Sequence, residues 1–281
     1  MDFADGFGVP RRRIGRRRAP LDGFAALFFA AFSFRLLVSA YTGPCIRVRR
    51  SGDNALTDIG FVGGWLDVVT LLAFVGAGSG YVVTFYDQSG RGRHITQTTA
   101  AAQRRIVNAG VVESFGGRPA LAGGAGQYYG SAWPALVQPA TILATLRLPD
   151  YTAGADQNLI RTSALASGYN GVPYIRAADG KAALYAGAGV AGATLVDGAA
   201  YALAWVMAGA ASVIGTNGTY VTGDAGTEAI NAAPNVFAGL AGGAPILGQC
   251  GDLLVFEGAL PQAQITAISR TLGETRGIVV P

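Results

Sequence analysis

Hydrolysis of a glycosidic bond needs two carboxyl groups, about 5 Å apart for retention of configuration and roughly 6.5–9.5 Å apart for inversion. The chain carries four glutamates, Glu113, Glu228, Glu257 and Glu274, and no E-x-D-x-E run that would line carboxylates along one face of a strand. Asp252 and Glu257 share one apolar run, but their odd spacing sends them to opposite faces of a sheet. His94 is the only histidine, which excludes a multi-histidine metal centre and makes any Ser-His-Asp arrangement depend on that single ring. The stretches GAGSG (76–80) and GGAGQ (123–127) lack the strand, helix and lysine context of a phosphate loop and read as turns. No cofactor or metal is expected; a calcium site of turn carboxylates and backbone oxygens is the alternative, and no Asp-rich loop supports it. Binding is the remaining chemistry. Sugar recognition uses aromatic faces with planar polar partners, and the candidates are Tyr128, Tyr129 and Trp133 beside Gln127, and Tyr169 and Asn170 with Tyr174.

Such groups must be carried by sheets. Charged residues make up 14% of the chain and glycine occurs 42 times, a profile suited to many short strands joined by turns. From Thr141 onward, runs such as TILATLRL, YALAWVMAG and GDLLVFEGAL alternate with Gly, Asn and Asp turns, the pattern of an antiparallel jelly-roll β-sandwich. Asn217-Gly218 marks a hairpin with a type I′ turn. The end reads as a strand, a turn and a helix. Pro261 suits its first turn, Ile265, Ile268 and Leu272 share one face, and Gly277 suits its stop. Two more helices are expected, a buried amphipathic one over Leu21 to Ala40 and a short one over Trp65 to Val75. The apolar run Phe24 to Phe34 is eleven residues long, short of the roughly 20 that span a bilayer. A secretory signal would fit its length, but it continues without a break into LLVSAYTG. No membrane span is expected.

The net charge of +4 resides in residues 1–20, where Arg11, Arg12, Arg13, Arg16, Arg17 and Arg18 outnumber Asp2 and Asp5. The neutral remainder argues against a nucleic-acid partner, which requires basic residues spread over a folded face. The chain therefore divides into a basic arm, 1–20, and a sandwich, 21–281, with the N-terminal helices in 21–135 and the regular strands and last helix in 136–281. The arm reads as a solvated tail or as a dock onto an acidic partner in an assembly. Cys45 and Cys250 allow at most one disulfide, which suits a reducing compartment.

Two blocks carry a resemblance, AYTGPCIRVRRSGDNALTDIGF (40–61) and YVVTFYDQSGRGRHITQ (81–97). They resemble the N-terminal part of the catalytic domain of B-type α-L-arabinofuranosidases, where Y-x-G-P-x-x-x-V-R-R-S-x-D and I-Y-D-Q-S-G-x-G-N-H-L-T-Q recur. They also resemble phage tail and fibre proteins that carry the same blocks. The region from Thr141 to Val280 is similar in pattern to concanavalin A-like, laminin-G-like folds. In this light Asp87, Gln88, Ser89 and Gly90, closed by His94, form a structural loop, with Gly90 and Gly92 at unusual φ and Arg91 or Arg93 paired with Asp87.

The resemblance also implies where a hydrolase would keep its carboxylates. The family's acid/base Asp follows a Gly-Gly pair, and the matching positions here are Gly242, Gly243 and Ala244. The family's nucleophile is a Glu on an early strand, whereas only Asp150 and Asp156 lie between Thr141 and Gly168. Paired cysteines before Y-D-Q-S-G are missing as well. The expectation is therefore a non-enzymatic phage or phage-like virion component, a tail or head fibre or spike. It would bind host-surface polysaccharide, dock on other virion proteins through its arm, form a homo-oligomer by analogy with fibres, and assemble in the host cytoplasm. The alternatives are a glycoside hydrolase of the arabinofuranosidase type with displaced carboxylates, and a structural virion decoration.

Overall fold

Alternating strands and turns prevail well before Thr141. A computed structural model describes residues 18–152, 154–162, 171–237 and 244–281. Its main strands are β1 (Phe28–Ser33), β2 (Ile46–Arg50), β3 (Leu56–Ile59), β4 (Gly80–Phe85), β5 (Arg104–Asn108), β6 (Leu121–Gly123), β7 (Ala140–Arg147), β8 (Gln157–Asn158), β9 (Val172–Arg176), β10 (Lys181–Tyr185), β11 (Gly189–Thr194), β12 (Ala200–Met207), β13 (Ser212–Thr216), β14 (Thr219–Gly223), β15 (Ala244–Pro245) and β16 (Gly248–Glu257). Two α-helices accompany them, α1 (Val68–Val75) and α2 (Gln262–Gly273).

The larger sheet runs in the order β4, β5, β6, β16, β7, β12, β13, β14, with β1 also paired to β16 and β2 to both β3 and β4. β7 is paired along its whole length on both sides, Ala144 standing between Leu203 and Leu253. Its side chains alternate between two cores. Ile142, Ala144 and Leu146 join Trp205, Met207 and Val255 inside the sandwich, while Leu143 joins Ala204, Val206, Leu254 and Phe256 on the opposite face. That second face is covered by Ile265, Ile268 and Leu272 of α2, each contributing roughly 1.5–3 kcal/mol of burial. A strand buried on both faces reads as a continuous apolar run, as β7, β12 and β16 do.

The smaller sheet is ordered β11, β10, β9, β8, β15, antiparallel except that β15 runs parallel to β8. Ile175, Ala182 and Leu184 turn inward to the shared core, and Trp205 Nε1 donates to the Ala183 carbonyl at 2.9 Å, linking the layers. The molecule is thus a mainly antiparallel β-sandwich with few short helices, as the strand pattern indicates. Asn217 and Gly218 sit at φ 48° and 85° in the hairpin between β13 and β14. Gly277 ends the chain's last helical turn at φ 70°.

Two helix expectations need correction. Residues 21–40 do not form a helix: a short 3-10 turn at Asp22–Leu27 leads into β1, whose six residues are all buried. FFAAFS is apolar on every side, so it lacks the polar face an amphipathic helix would show, and pairing with β16 from Phe28↔Phe256 to Ser33↔Asp252 satisfies its backbone. The helix expected over Trp65 to Val75 begins only at Val68, because the Asp67 carboxylate accepts the Thr70 N–H at 3.0 Å and caps it there. Trp65 and Leu66 pair with Phe61 and Val62 instead. Among the described residues no helix is long and apolar enough to cross a membrane.

Candidate functional site

The loop after β4 is a clasp. Asp87 Oδ1 accepts the N–H groups of Ala31 and Ser89, and Oδ2 accepts the Ser89 hydroxyl and the Arg93 N–H. Gln88 accepts the Leu37 N–H and donates to the carbonyls of Ser33 and Arg35, so it ties β1 and the chain after it to the loop. Gly90 and Gly92 take φ values of 80° and 69°. His94 Nδ1 accepts the Asp87 N–H at 3.0 Å and is not free to act as a base. The expected pairing of Arg91 or Arg93 with Asp87 is not made by their side chains. Both guanidiniums reach Glu257, at 3.1 and 3.6 Å, because the Asp87 carboxylate is already filled by backbone and Ser89 donors.

The aromatic candidates separate. Tyr129 is fully buried and donates to the Val82 carbonyl at 3.0 Å; Trp133 is 2% exposed, donates to the Arg93 carbonyl at 2.7 Å and stacks on Phe32. These two are core residues with satisfied polar atoms, which corrects their assignment to a sugar platform. Tyr128 is half-buried and Tyr174 is half-buried on the smaller sheet. Tyr169 and Asn170 lie outside the described residues, as do Arg11, Arg12, Arg13, Arg16 and Arg17 of the arm; Arg18 is exposed.

The outer face of the smaller sheet gathers polar groups. Its register pairs Asn158 with Tyr174, Tyr174 with Ala183, Arg176 with Lys181 and Val172 with Tyr185. The two-residue period places Asp156, Asn158, Tyr174, Arg176, Lys181 and Tyr185 on that one face. Arg176 binds Asp179 bidentately at 2.9 and 2.5 Å, with Lys181 at 3.5 Å, and its guanidinium holds the Asp179 carboxyl down at about 2. Asp156 accepts the Ala177 N–H at 2.8 Å. Asn158 is fully buried; its Nδ2 donates to the Asp156 carbonyl, and its Oδ1 has no donor. A buried acceptor without a donor costs on the order of 1–3 kcal/mol.

At the Tyr185 end, Glu228 is exposed and anchored by its N–H on the Ala186 carbonyl at 2.8 Å, with its carboxylate 3.7 Å from where a Gly187 Cβ would stand. At the opposite edge β15 lies beside β8, Ala244 at the register of Gln157. Gln157 donates to the Asp150 carbonyl and accepts the Leu247 N–H, which fixes the exit of β15. Asp150 is spent on a turn, accepting the N–H and hydroxyl of Thr152.

Arg104 underlies this edge. Fully buried, it donates from one nitrogen to the carbonyls of Gln127, Phe237 and Ile246, and lies 4.7 Å from the Phe237 ring centroid. Its Nε and Nη1 have no acceptor, and burial pulls its pKa down to about 10. The sequence offered no signal for Arg104. Asn158 and Glu228 were missed as well, since one polar residue in a two-residue strand and one Glu in a loop fit no spacing rule. Among the described residues no group of three or more His, Cys, Asp or Glu is placed to hold a metal ion. Cys45 and Cys250 are both buried and free.

Comparison with known proteins bears on this geometry. The family described as "Alpha-L-arabinofuranosidase B, catalytic" matches residues 25–123, the region of β1 to β6 and the clasp. The chain is related to that catalytic domain. A probable α-L-arabinofuranosidase B of Aspergillus flavus is 43% identical over 65 residues, and an α-L-arabinofuranosidase of Hypocrea jecorina is 42% identical over 64. Each alignment covers 22% of this chain, and the chain spans 13% of the length of these relatives. Among solved structures, a GH54 α-L-arabinofuranosidase soaked with a cyclic sulfate inhibitor superposes with a TM-score of 0.68 at 15% identity, over 92% of this chain and 65% of that one. An arabinofuranosidase complexed with arabinofuranosyl-α-1,2-xylobiose gives 0.68 at 16% identity, over 94% and 66%.

These findings correct the expectation of a phage tail or fibre protein. The matched relatives are fungal arabinofuranosidases rather than virion components, so the virion location, the virion partners of the arm and the host-attachment role all fall. The expectation of a chain without enzymatic activity gives way with them, because the family and the relatives that match in sequence are arabinofuranosidases.

Proposed function

We propose that the chain acts as a glycoside hydrolase on α-L-arabinofuranosyl groups. The observation that carries this reading is the match of residues 25–123 to the arabinofuranosidase catalytic family, on a fold that superposes over 92% of the chain. The sugar is placed on the outer face of the smaller sheet, beside Tyr174 and Tyr185.

Ala244 has no proton to give, so the acid must come from elsewhere. Glu228 is assigned as the general acid, one of the two carboxyl groups that the reaction needs. Asp156 sits beside the far end of β9, and five residues of strand separate the two ends by roughly 13 Å, beyond the roughly 6.5–9.5 Å of an inverting pair. Asp156 is therefore assigned to holding sugar hydroxyls, not to the second catalytic position.

The test is release of 4-nitrophenol from 4-nitrophenyl α-L-arabinofuranoside, and of arabinose from arabinofuranosyl-α-1,2-xylobiose. Saturable release, lost at least a hundredfold in Glu228→Gln and with mainly KM raised in Asp156→Asn, is expected. No release above buffer from either substrate, or binding without turnover, overturns the hydrolase reading. Full activity in Glu228→Gln overturns only the assignment of that residue.

A further inference from the structure

A hollow of about 600 Å³ is lined by Arg18, Ala19, Pro20, Arg35, Leu36, Ser39, Gly63, Gly64 and Trp65. Trp65 carries a guanidinium group on each of two neighbours, Arg35 at 5.5 Å and Arg118 at 4.1 Å from its ring centroid. The frame is rigid. Arg35 and Trp65 form a β-bridge, the Leu36 N–H donates to the Gly64 carbonyl at 2.8 Å, and the clasp residue Gln88 holds the Arg35 carbonyl.

Among the described residues none of the guanidiniums at this hollow sits in an ion pair. Arg35 uses one donor on the Thr271 carbonyl and Arg118 one on the Thr275 carbonyl. The nearby acids are occupied or remote. Asp22 accepts from the Ala19 N–H and from the N–H and hydroxyl of Ser39 and meets Arg18 only through space, while Asp252, bound to Arg276, and Glu274 act on Arg35 only through space. A guanidinium is a planar fork matched to carboxylates and phosphates. Gly63 and Gly64, at φ 61° and 82°, form a rim where an added Cβ would meet nothing within 4 Å, so a flat ring can lie against bare backbone.

We infer that this hollow is a second carbohydrate site, one for an acidic sugar whose carboxylate lies between Arg18 and Arg35 and whose ring rests on the Gly63-Gly64 rim. The volume suits one or two sugar units, and guanidiniums held without an ion pair select those bearing a carboxylate over neutral ones.

Trp65 reports on the site, because it is half-buried while the chain's other tryptophans, Trp133 and Trp205, are 2% and 0% exposed. Intrinsic fluorescence of the full chain is titrated with a galacturonic acid trimer, with the neutral galactose trimer and with inorganic phosphate. The acidic trimer is expected to change the emission saturably, with the dissociation constant raised at least tenfold in Arg18→Gln/Arg35→Gln and raised again by added salt. The variant should keep the wild-type melting temperature and arabinofuranoside hydrolysis, which separates loss of the site from loss of the fold. An equal response to the neutral trimer, or phosphate binding as tightly as the acidic trimer, overturns the proposal. So does wild-type affinity in the double variant.

Discussion

Replacing Asp252 by asparagine should be among the most damaging single changes in the protein. Asp252 and Arg276 are 4% and 1% exposed and meet at 3.0 Å. The carboxylate also accepts the hydroxyls of Ser33 and Thr145, each at 2.5 Å, so its two oxygens serve three donors. Asparagine keeps the volume but removes the charge and turns an NH2 group toward some of those donors. Arg276 is then left buried over the Phe115 ring with only the carbonyls of Arg118 and Pro119 for support. Removing one member of a buried pair costs about 3–5 kcal/mol. At roughly 2–4 °C per kcal/mol for a chain of this size, the melting temperature should fall by about 6–20 °C. Calorimetry with urea titration measures both quantities. The double variant Asp252→Leu/Arg276→Met should be less damaged than either single change, since it strands no charge. A loss below about 1 kcal/mol in Asp252→Asn, the value of an exposed pair, would refute the reasoning, as would a double variant worse than the sum of its parts.

The Asp179 carboxyl, held at about 2 by Arg176, is depressed below its unfolded value of about 3.9, so its contribution to stability is present above pH ~4 and lost as pH falls through 2. Because the pair is about a third exposed, the effect stays within about 1 kcal/mol; wild type and Asp179→Asn should differ in melting temperature at pH 5 and converge towards pH 2, and a constant gap would contradict the assignment. Cys45 and Cys250 are fully buried, with burial pushing both thiols up, Cys250 to about 12. Ellman's reagent at pH 8 should therefore find no fast thiol in the folded protein and both after denaturation, and rapid native labelling would show that the core is open.

Strand-and-turn alternation made the second half of the sandwich legible. β7, β12 and β16 are long apolar runs bounded by turn residues, and Asn217-Gly218 has the conformation its composition demands. The first half was harder. FFAAFS has no period, and what makes it a strand is a partner 219 or more residues away, which no local window contains. The clasp was legible because Asp, Gln and Ser each have few ways to satisfy a turn, although the destinations of Arg91 and Arg93 depended on Glu257 across the fold. The aromatic site was the poorest reading. Tyr129 and Trp133 look like sugar platforms by type, yet burial is set by which strand face they occupy, and the two-residue strands around them are too short to show alternation. The expectation of no activity rested on Ala244, on the missing Glu between Thr141 and Gly168 and on the missing paired cysteines, all departures at single features. It led away from the hydrolase lineage that the blocks at 40–61 and 81–97 share with the arabinofuranosidases.

The placement of β16 affects the order in which the protein can form on the ribosome. This strand sits mid-sheet, with β1 and β6 along one side and β7 along the other, but it is made after all of them. Until residues 248–257 emerge, β1 has no ladder partner and β7 exposes one apolar edge. The two ends of the sheet can pair early, β2 with β3 and β13 with β14, because their turns are local. The centre closes last. Such long-range closure is slow, and it leaves open strand edges as templates for wrong pairing in the interval. A nascent chain arrested before Gly248 should therefore be protease-sensitive at β1 and prone to associate, even though all but the last of its strands have been made.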